Sequence, residues 1–371
     1  MKILHLADVH LDRPFVGMPR DSARARRNDL RIAFQRCLAA ARRHRVDLVT
    51  IGGDLWEDEH VTADTRGFVA YELERLSLPV LVACGNHDPL LPGGHYARTS
   101  WPGNVHIFPG DSPTEFRLGD LSIWGLSWRG GPLSLSFLSG FRTPGADRTH
   151  LLLVHGTART IPLSAGEAEY APFDPADIDR AGFALCLAGH IHAASETGRV
   201  VYPGSPEPLG WGDTGRHAVA LVEAGSGEAT AELVDVNMRR YELRQVDCGG
   251  AQSSAEIVGR LTAALNDRDP QSICLRVQLV GQVGVDCQVD VQQLASLTGD
   301  RYAALAIEDC TSAGFDLDDL AGQQDAAGYF VRSLLTRIEQ AADEREREVL
   351  RLALTSGLHA LNGRKDVLSV D

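Results

Sequence analysis

The stretch VLVACGNHDP, Val80 to Pro89, begins as an apolar run and ends in an amide, an imidazole and a carboxylate, Asn86-His87-Asp88. A strand covered on both faces reads as a continuous apolar run, and such strands belong to layered α/β folds. Polar groups placed directly after one need partners or a task, because an unpaired buried polar group costs on the order of 2 kcal/mol.

The pattern recurs. KILHLA, VDLVTIG, LSIWGLSW, HLLLVH and FALCLAG read as further buried strands, alternating with helix candidates from about Ser22 to His44 and Thr62 to Leu76. Short β-like runs from about Val200 to Val236 predict a second sheet packed on the first. The fold expected is therefore a two-sheet α/β sandwich over residues 1–238, followed by a smaller α+β domain over 239–315. The latter reads as β-α-β-α-β, with Ser253 or Ser254 as the first helix cap. A C-terminal helical segment is expected over 316–371. After Gln323 it holds two helices with apolar stripes, Tyr329, Phe330, Leu334, Leu335 and Ile338 on one and Val349, Leu350, Leu354, Leu358 and Leu361 on the other.

The 371 residues are 44% hydrophobic, enough to bury large cores in two domains. No apolar run approaches the roughly 18 residues of a membrane span, and the N-terminus carries charge within its first ten positions, so a cytoplasmic protein without a membrane partner is expected. The seven cysteines are scattered and form no CxxC pair, which argues against a disulfide framework and a zinc ribbon. A net charge of −14 speaks against bulk phosphate binding, yet Arg20 to Arg45 form a strongly basic run. That run reads as a solvated helix face or as a phosphate-contacting surface.

Side chains of metal-ligand type follow one strand candidate after another: Asp8 and His10, Asp54, Asn86 and His87, His155, and His190 and His192. Each pair or single residue could be a surface turn or a core histidine. Together they share one address, since sites in open α/β sheets assemble at the strands' carboxyl ends. Glycines 52, 53, 85, 156 and 189 sit beside them, as close backbone approach requires. Oxygen and imidazole donors without thiolate suit Mn, Fe or Zn, and their number suggests two ions sharing a bridge, for which Asp54 is the natural candidate. Two such ions about 3.5 to 4 Å apart polarise a phosphoryl group and activate a water, which is phosphoester hydrolysis.

The segments DVH, GGDLW, GNHD, VHG and GHIH resemble the five signatures of the calcineurin-like metallophosphoesterase superfamily, across roughly residues 1–235. LADVHLDRPFVGM, PGNVHIF, YAPFDPADIDRAGF and YPGSPEPLGWGDTG are similar to the SbcD-type DNA repair exonucleases, in particular the YhaO-like branch. The resemblance implies one metal held by Asp8, His10, Asp54 and His192, another by Asp54, Asn86, His155 and His190, and His87 as an unligated catalytic histidine. It also implies Mn2+ as the usual ion, an SbcC-like coiled-coil ATPase as partner, a homodimer, and a capping domain near 239–312. The basic helix then offers Arg24, Arg26, Arg27 and Arg31 as DNA contacts.

The function expected is a two-metal DNA exonuclease of DNA repair, able also to cut single strands. A small-molecule phosphodiesterase or phosphatase of the same superfamily is the alternative, and a non-catalytic DNA-end scaffold a further one. Within GNHD, Asn86 offers a ligand oxygen without extra charge, and His87 a proton for the leaving sugar oxygen. Asp88 is expected to orient the His87 imidazole, or else to serve only the turn before Pro89.

Overall fold

The computed structural model describes residues 1–361 except 19, 111, 131–136, 146, 162–168, 285–286, 299–300 and 316. Residues 316 and 362–371 of the expected C-terminal segment therefore lie outside the described residues. Contacts divide the chain into two compact units, one of Met1–Glu242 with Ser272–Cys274, the other of Leu243–Gln271 with the chain from Leu275 onward.

The first unit is built on two six-stranded sheets. In one, β1 (Lys2–Leu6), β2 (Leu48–Ile51), β3 (Val80–Val82) and β4 (Val105–Ile107) run parallel, and β11 (Ala218–Gly225) and β12 (Glu228–Asp235) extend it antiparallel beyond β1. In the other, β6 (Leu121–Gly125), β7 (Thr149–His155), β8 (Leu185–Gly189) and β10 (Val200–Tyr202) run parallel, with β5 (Thr114–Leu118) and β9 (Ser195–Thr197) antiparallel at the edges.

Alternation along each strand accounts for the continuous apolar runs. Ile3, Leu48 and Leu81 join Leu151, Leu153, Leu185 and Leu187 between the sheets. Their neighbours Leu4, Val49, Val80 and Val82 face the other way, toward Phe34 and Leu38 of α1 (Arg20–His44) and Val69 and Leu73 of α2 (Ala63–Glu74). On the far side, Leu152, Val154 and Cys186 pack with Ile178 of α4 (Pro175–Ala181) and with Phe183. Each such aliphatic side chain contributes roughly 1.5–3 kcal/mol by leaving water.

The expectation of a second sheet from residues 200–236 is corrected. Only β10, with β9 just before it, joins the second sheet from that region, whereas β11 and β12 continue the first. The reason is two-sided burial: Val219 sits in the helix-facing core while Ala220, Val222 and Ala224 sit between the sheets, so β11 needs a place inside the first sheet rather than in a separate layer. The second sheet instead starts at β5 and takes three of the six strands read from sequence.

The second unit carries a sheet ordered β13 (Arg240–Asp247), β14 (Ile273–Gly284), β15 (Ala304–Gly314), with helices α5 (Ser254–Ala264) and α6 (Val291–Thr298). Ser253 caps α5 by accepting from the Glu256 N–H. After the short α7 (Leu317–Gly322), α8 (Ala326–Gln340) and α9 (Glu344–Leu361) turn much of their apolar stripes toward each other through Val331, Leu334, Leu350, Leu354 and Leu358. Tyr329, Val349 and Leu361 stay exposed. No helix among the described residues is long and apolar enough to cross a membrane.

His5 pins the two sheets together from inside. Its Nε2–H donates to the Ala188 carbonyl of β8 at 3.1 Å, and its Nδ1 accepts from the Thr50 hydroxyl of β2 at 3.0 Å. Burial pushes its pKa down to about 4, against the two hydrogen bonds. The unfolded chain, with an ordinary histidine pKa near 6.5, binds this proton more readily, so the stability from a neutral His5 is full above about pH 6.5 and is lost as pH falls toward 4. That difference amounts to about 3 kcal/mol. His5→Gln should flatten the acid side of the stability–pH curve by roughly this amount, read from thermal or denaturant unfolding between pH 4 and 7. An unchanged slope would mean that His5 titrates alike in both states.

Candidate metal centre

Every polar residue singled out at a strand end lies at the carboxyl end of a parallel strand of the two sheets. Asp8 and His10 follow β1, Asp54 follows β2, Asn86 to Asp88 follow β3, His155 ends β7, and His190 and His192 follow β8. The backbone there is bent out of its ordinary range. Asp8, His10, Asp54 and His190 all have positive φ, between 48° and 102°, a conformation that side chains with a Cβ avoid. It is held by cross-links between the loops: the Asp8 and His10 N–H groups donate to the carbonyls of Gly53 and Asp54, and the His190 N–H donates to the Asp8 carboxylate at 3.0 Å.

The ring nitrogens point acceptors at acceptors. His10 is fully buried, which lowers its pKa, and its Nδ1–H donates to Glu57 at 2.9 Å. Its Nε2 lone pair then faces His192 Nε2 at 3.2 Å and an Asp54 oxygen at 3.6 Å. On the other side of Asp54, His155 gives its Nδ1–H to the Gly52 carbonyl at 2.8 Å. Its Nε2 lies 2.9 Å from Asn86 Oδ1 and 3.3 Å from Asp54. Such convergence of lone pairs demands a proton or a cation among them. Burial alone would lower the His155 pKa, but Asp54 outweighs it and raises it to about 9. Burial pushes Asp54 the other way, yet His155 and His10 hold it well below the usual carboxylate range.

These residues fit a divalent ion. Ligands about 2.0–2.2 Å from one metal lie about 3–3.5 Å from each other in tetrahedral or octahedral sets. One candidate group is Asp8, His10 and His192, another is Asp8, Asp54 and His155, each with its ligand atoms within 4.8 Å of one another. Asp54 also groups with His10 and His87. His190 stands beside His155 with ring centroids 5.3 Å apart.

The expected bond from Asp88 to His87 is not made. Asp88 is wholly buried and accepts from the backbone N–H groups of Asp54, Leu55 and Gly85 and from the Tyr96 hydroxyl, at 2.6–2.9 Å. Burial, and then the nearby Asp54 charge, raise its pKa to about 7. It shapes the loops, and the His87 ring is held by another carboxylate. Glu57 accepts from His87 Nδ1 at 2.8 Å with one oxygen and from His10 Nδ1 and Arg13 with the other. This bond raises the His87 pKa, against partial burial.

One residue not singled out from the sequence, Glu57, thus belongs to the site, together with Asp213, which stands where the family resemblance leads one to expect a glutamate. Glu57 lies three residues after Asp54, and Asp213, in the loop GWGDTG, stands 3.8 Å from His192 Nδ1. Spacing from Asp54 was a usable signal for the first, and the second lies in the family-like segment YPGSPEPLGWGDTG.

The basic helix is less available than its sequence suggests. Arg26 is buried and bonded to Asp29, Glu207 and the Pro208 carbonyl, which removes it from the expected DNA contacts. Arg31 bonds Asp64 and Thr65, and Arg27 donates to the Pro14 carbonyl. Arg24 is exposed, and lines a surface hollow with Arg20, Arg27 and Arg31.

Residues 1–194 match the family model for calcineurin-like phosphoesterases. The chain belongs to the calcineurin-like phosphoesterase family. Phosphoester hydrolysis at a dinuclear divalent site is that family's chemistry, and the candidate groups around Asp54 lie inside the matched region. Among relatives, the chain is 28% identical over 298 residues to the uncharacterized metallophosphoesterase YhaO of Bacillus subtilis, covering 76% of this chain and 72% of that protein. It is 24% identical over 293 residues to the DNA double-strand break repair protein Mre11 of Methanopyrus kandleri, covering 70% of this chain and 62% of that one. The Mre11 of Aeropyrum pernix is 28% identical over 289 residues, covering 70% and 66%.

Because Asp88 satisfies three backbone donors and a phenol in the interior, Asp88→Ala should destabilise this phosphoesterase unit by on the order of 3 kcal/mol, measured by denaturant unfolding of the metal-free protein. A shift within a few tenths of a kcal/mol would contradict the structural role.

Proposed function

We propose that the chain is a divalent-metal-dependent phosphodiesterase acting on DNA as an exonuclease, with single-strand cutting as a secondary activity. The observation that carries the reading is that one carboxylate, Asp54, lies buried between His10 on one side and His155 on the other. Asp8, His10, Asp54 and His192 would hold one ion, and Asp54, Asn86, His155 and His190 the other, with Mn2+ the preferred metal. Bound there, the ions would supply the positive charge that polarises a phosphoryl group and makes water nucleophilic near neutral pH.

The chain's own residues do the rest. Glu57 fixes the Nδ1–H tautomer of His10 and thereby turns its Nε2 lone pair inward. The same carboxylate holds His87 by Nδ1, so Nε2 is the atom that donates a proton to the leaving sugar oxygen. Asp213 orients His192. Arg24, with Arg27 and Arg31 beside it, is the proposed contact to the DNA backbone. An SbcC-like coiled-coil ATPase and a second copy of this chain are the proposed partners, in the cytoplasm.

A small-molecule phosphodiesterase is the second reading, favoured by the net charge of −14 and by Asp58 and Glu59 near the site. Incubating the Mn2+-loaded protein with end-labelled DNA beside a cyclic nucleotide and a generic phosphodiester separates the two. The non-catalytic scaffold would require gaps in the ligand set, and every expected donor is present.

Asp54→Asn should reduce bound metal at both positions after dialysis, whereas His192→Ala should chiefly empty one. An Asp54 variant that retains two ions at full occupancy contradicts the bridge. His87→Ala should keep its metals but lose roughly 10²- to 10⁴-fold in turnover on DNA, and far less on a nitrophenyl ester, whose leaving group needs no proton. Glu57→Gln should show the same leaving-group pattern more weakly. Equal slowing of both substrates by His87→Ala would assign the proton to another group.

A further inference from the structure

A cavity of about 780 Å³ opens beside the metal centre, with Asn86 and His87 in its wall. Its size suits a small organic group. The rest of its lining is unusual for a site that handles phosphates. Val16, Trp128 and Trp211, with the mostly buried Phe15, contribute apolar surface, while the charged residues around it are Arg13, Glu57, Asp58 and Glu59. The aromatic walls are fixed in place: Trp211 stands edge-on to Tyr241 with ring centroids 4.9 Å apart, and Trp128 edge-on to Tyr170 at 5.4 Å. Val16 is 91% exposed, at the tip of a loop in which Asp12, Phe15 and Gly17 all take positive φ. A backbone strained at Asp12 and Phe15 to hold an aliphatic side chain in water is more readily explained by something that covers it.

We infer that this cavity is a base-stacking subsite that takes the nucleobase of the nucleoside expelled at the scissile bond. The inference rests on the phosphodiesterase reading and names the substrate feature which that site selects. His87 ties the cavity to the leaving group, because the group receiving its proton must lie on the His87 side of the phosphate. Among the described residues the one guanidinium in the lining, Arg13, is paired with Glu57 at 3.1 Å, which leaves the Asp58 and Glu59 carboxylates to repel a second phosphate, so the occupant is a neutral body rather than further backbone. Aromatic faces give such a body its affinity, since every base has a π-face and stacks irrespective of sequence. A base can enter only after leaving its helix, so unpaired ends are better substrates than paired ones.

The test uses the Mn2+-loaded full chain and two single strands of equal length, one of oligothymidylate and one in which every base is replaced by hydrogen. The native protein should cleave the base-bearing strand with a kcat/KM about 10- to 100-fold higher than the abasic strand. Trp211→Leu and Val16→Glu should each shrink that ratio toward 1, and Trp211→Phe should largely preserve it. Val16 lies in solvent, so its variant remains informative even if the tryptophan variant fails to fold. Equal rates on the two strands in the native protein, or a ratio unmoved by Val16→Glu and Trp211→Leu, would overturn the subsite while leaving phosphodiesterase activity in place. Absence of Mn2+-dependent cleavage of either strand would instead remove the activity on which the subsite rests.

Discussion

The structure turns on the contact between Gly52 and Gly189. Gly52 follows β2 of one sheet and Gly189 ends β8 of the other, and a Cβ placed on Gly189 would lie 2.1 Å from the Gly52 carbonyl oxygen. A Cβ on Gly52 would in turn meet the His5 ring at 2.8 Å. Only two glycines allow the sheets to approach this closely at their carboxyl ends. The approach lets His155 of the second sheet give its Nδ1–H to Gly52 of the first, and lets Asp8 of the first accept the His190 N–H of the second. The centre is thus a seam between two layers, and neither sheet alone carries all the candidate ligands.

Gathering so many polar groups in a dry seam has an electrostatic cost, and the chain meets it in layers. Asp54 is stabilised as an anion by the imidazoles on either side and by the His87 N–H, which donates to it at 2.9 Å. Behind it, Asp88 ties down the turns through backbone donors, and Gly85 is tightly packed there: a Cβ on it would fall 2.2 Å from Asp54 Oδ1. Glu57 forms the outer layer, linking a candidate ligand to the histidine at the cavity wall. The positive φ values of Asp8, His10 and Asp54 are strain that this network supports.

Away from the seam, the same logic of two-sided burial decides where charge can be used. Half-hidden in the basic run, Arg26 is consumed by a buried cluster with Asp29 and Glu207, and Arg239 also donates to Asp29. Arginines on the outer side of the same helix, such as Arg24, remain at the surface. A run of basic residues on a helix therefore divides by face, some serving the fold and others the solvent.

The order of strands and helices, the polar residues gathered at the strand ends and the family were legible in the sequence, because apolar runs with abrupt polar ends and flanking glycines are local signals. The β-α-β-α-β pattern of the smaller unit and its Ser253 cap were legible for the same reason. Tertiary structure alone decided which strands share a sheet, since β11 can complete either layer until its two faces are matched to their cores. It alone assigned Glu57 rather than Asp88 to His87, because a carboxylate adjacent in sequence points into the turn while one 30 residues away crosses the gap between strand ends. Local pattern records which residues are needed near an edge; hydrogen-bond partners are chosen by distance in three dimensions, which the chain sets only once both sheets have closed on Gly52 and Gly189.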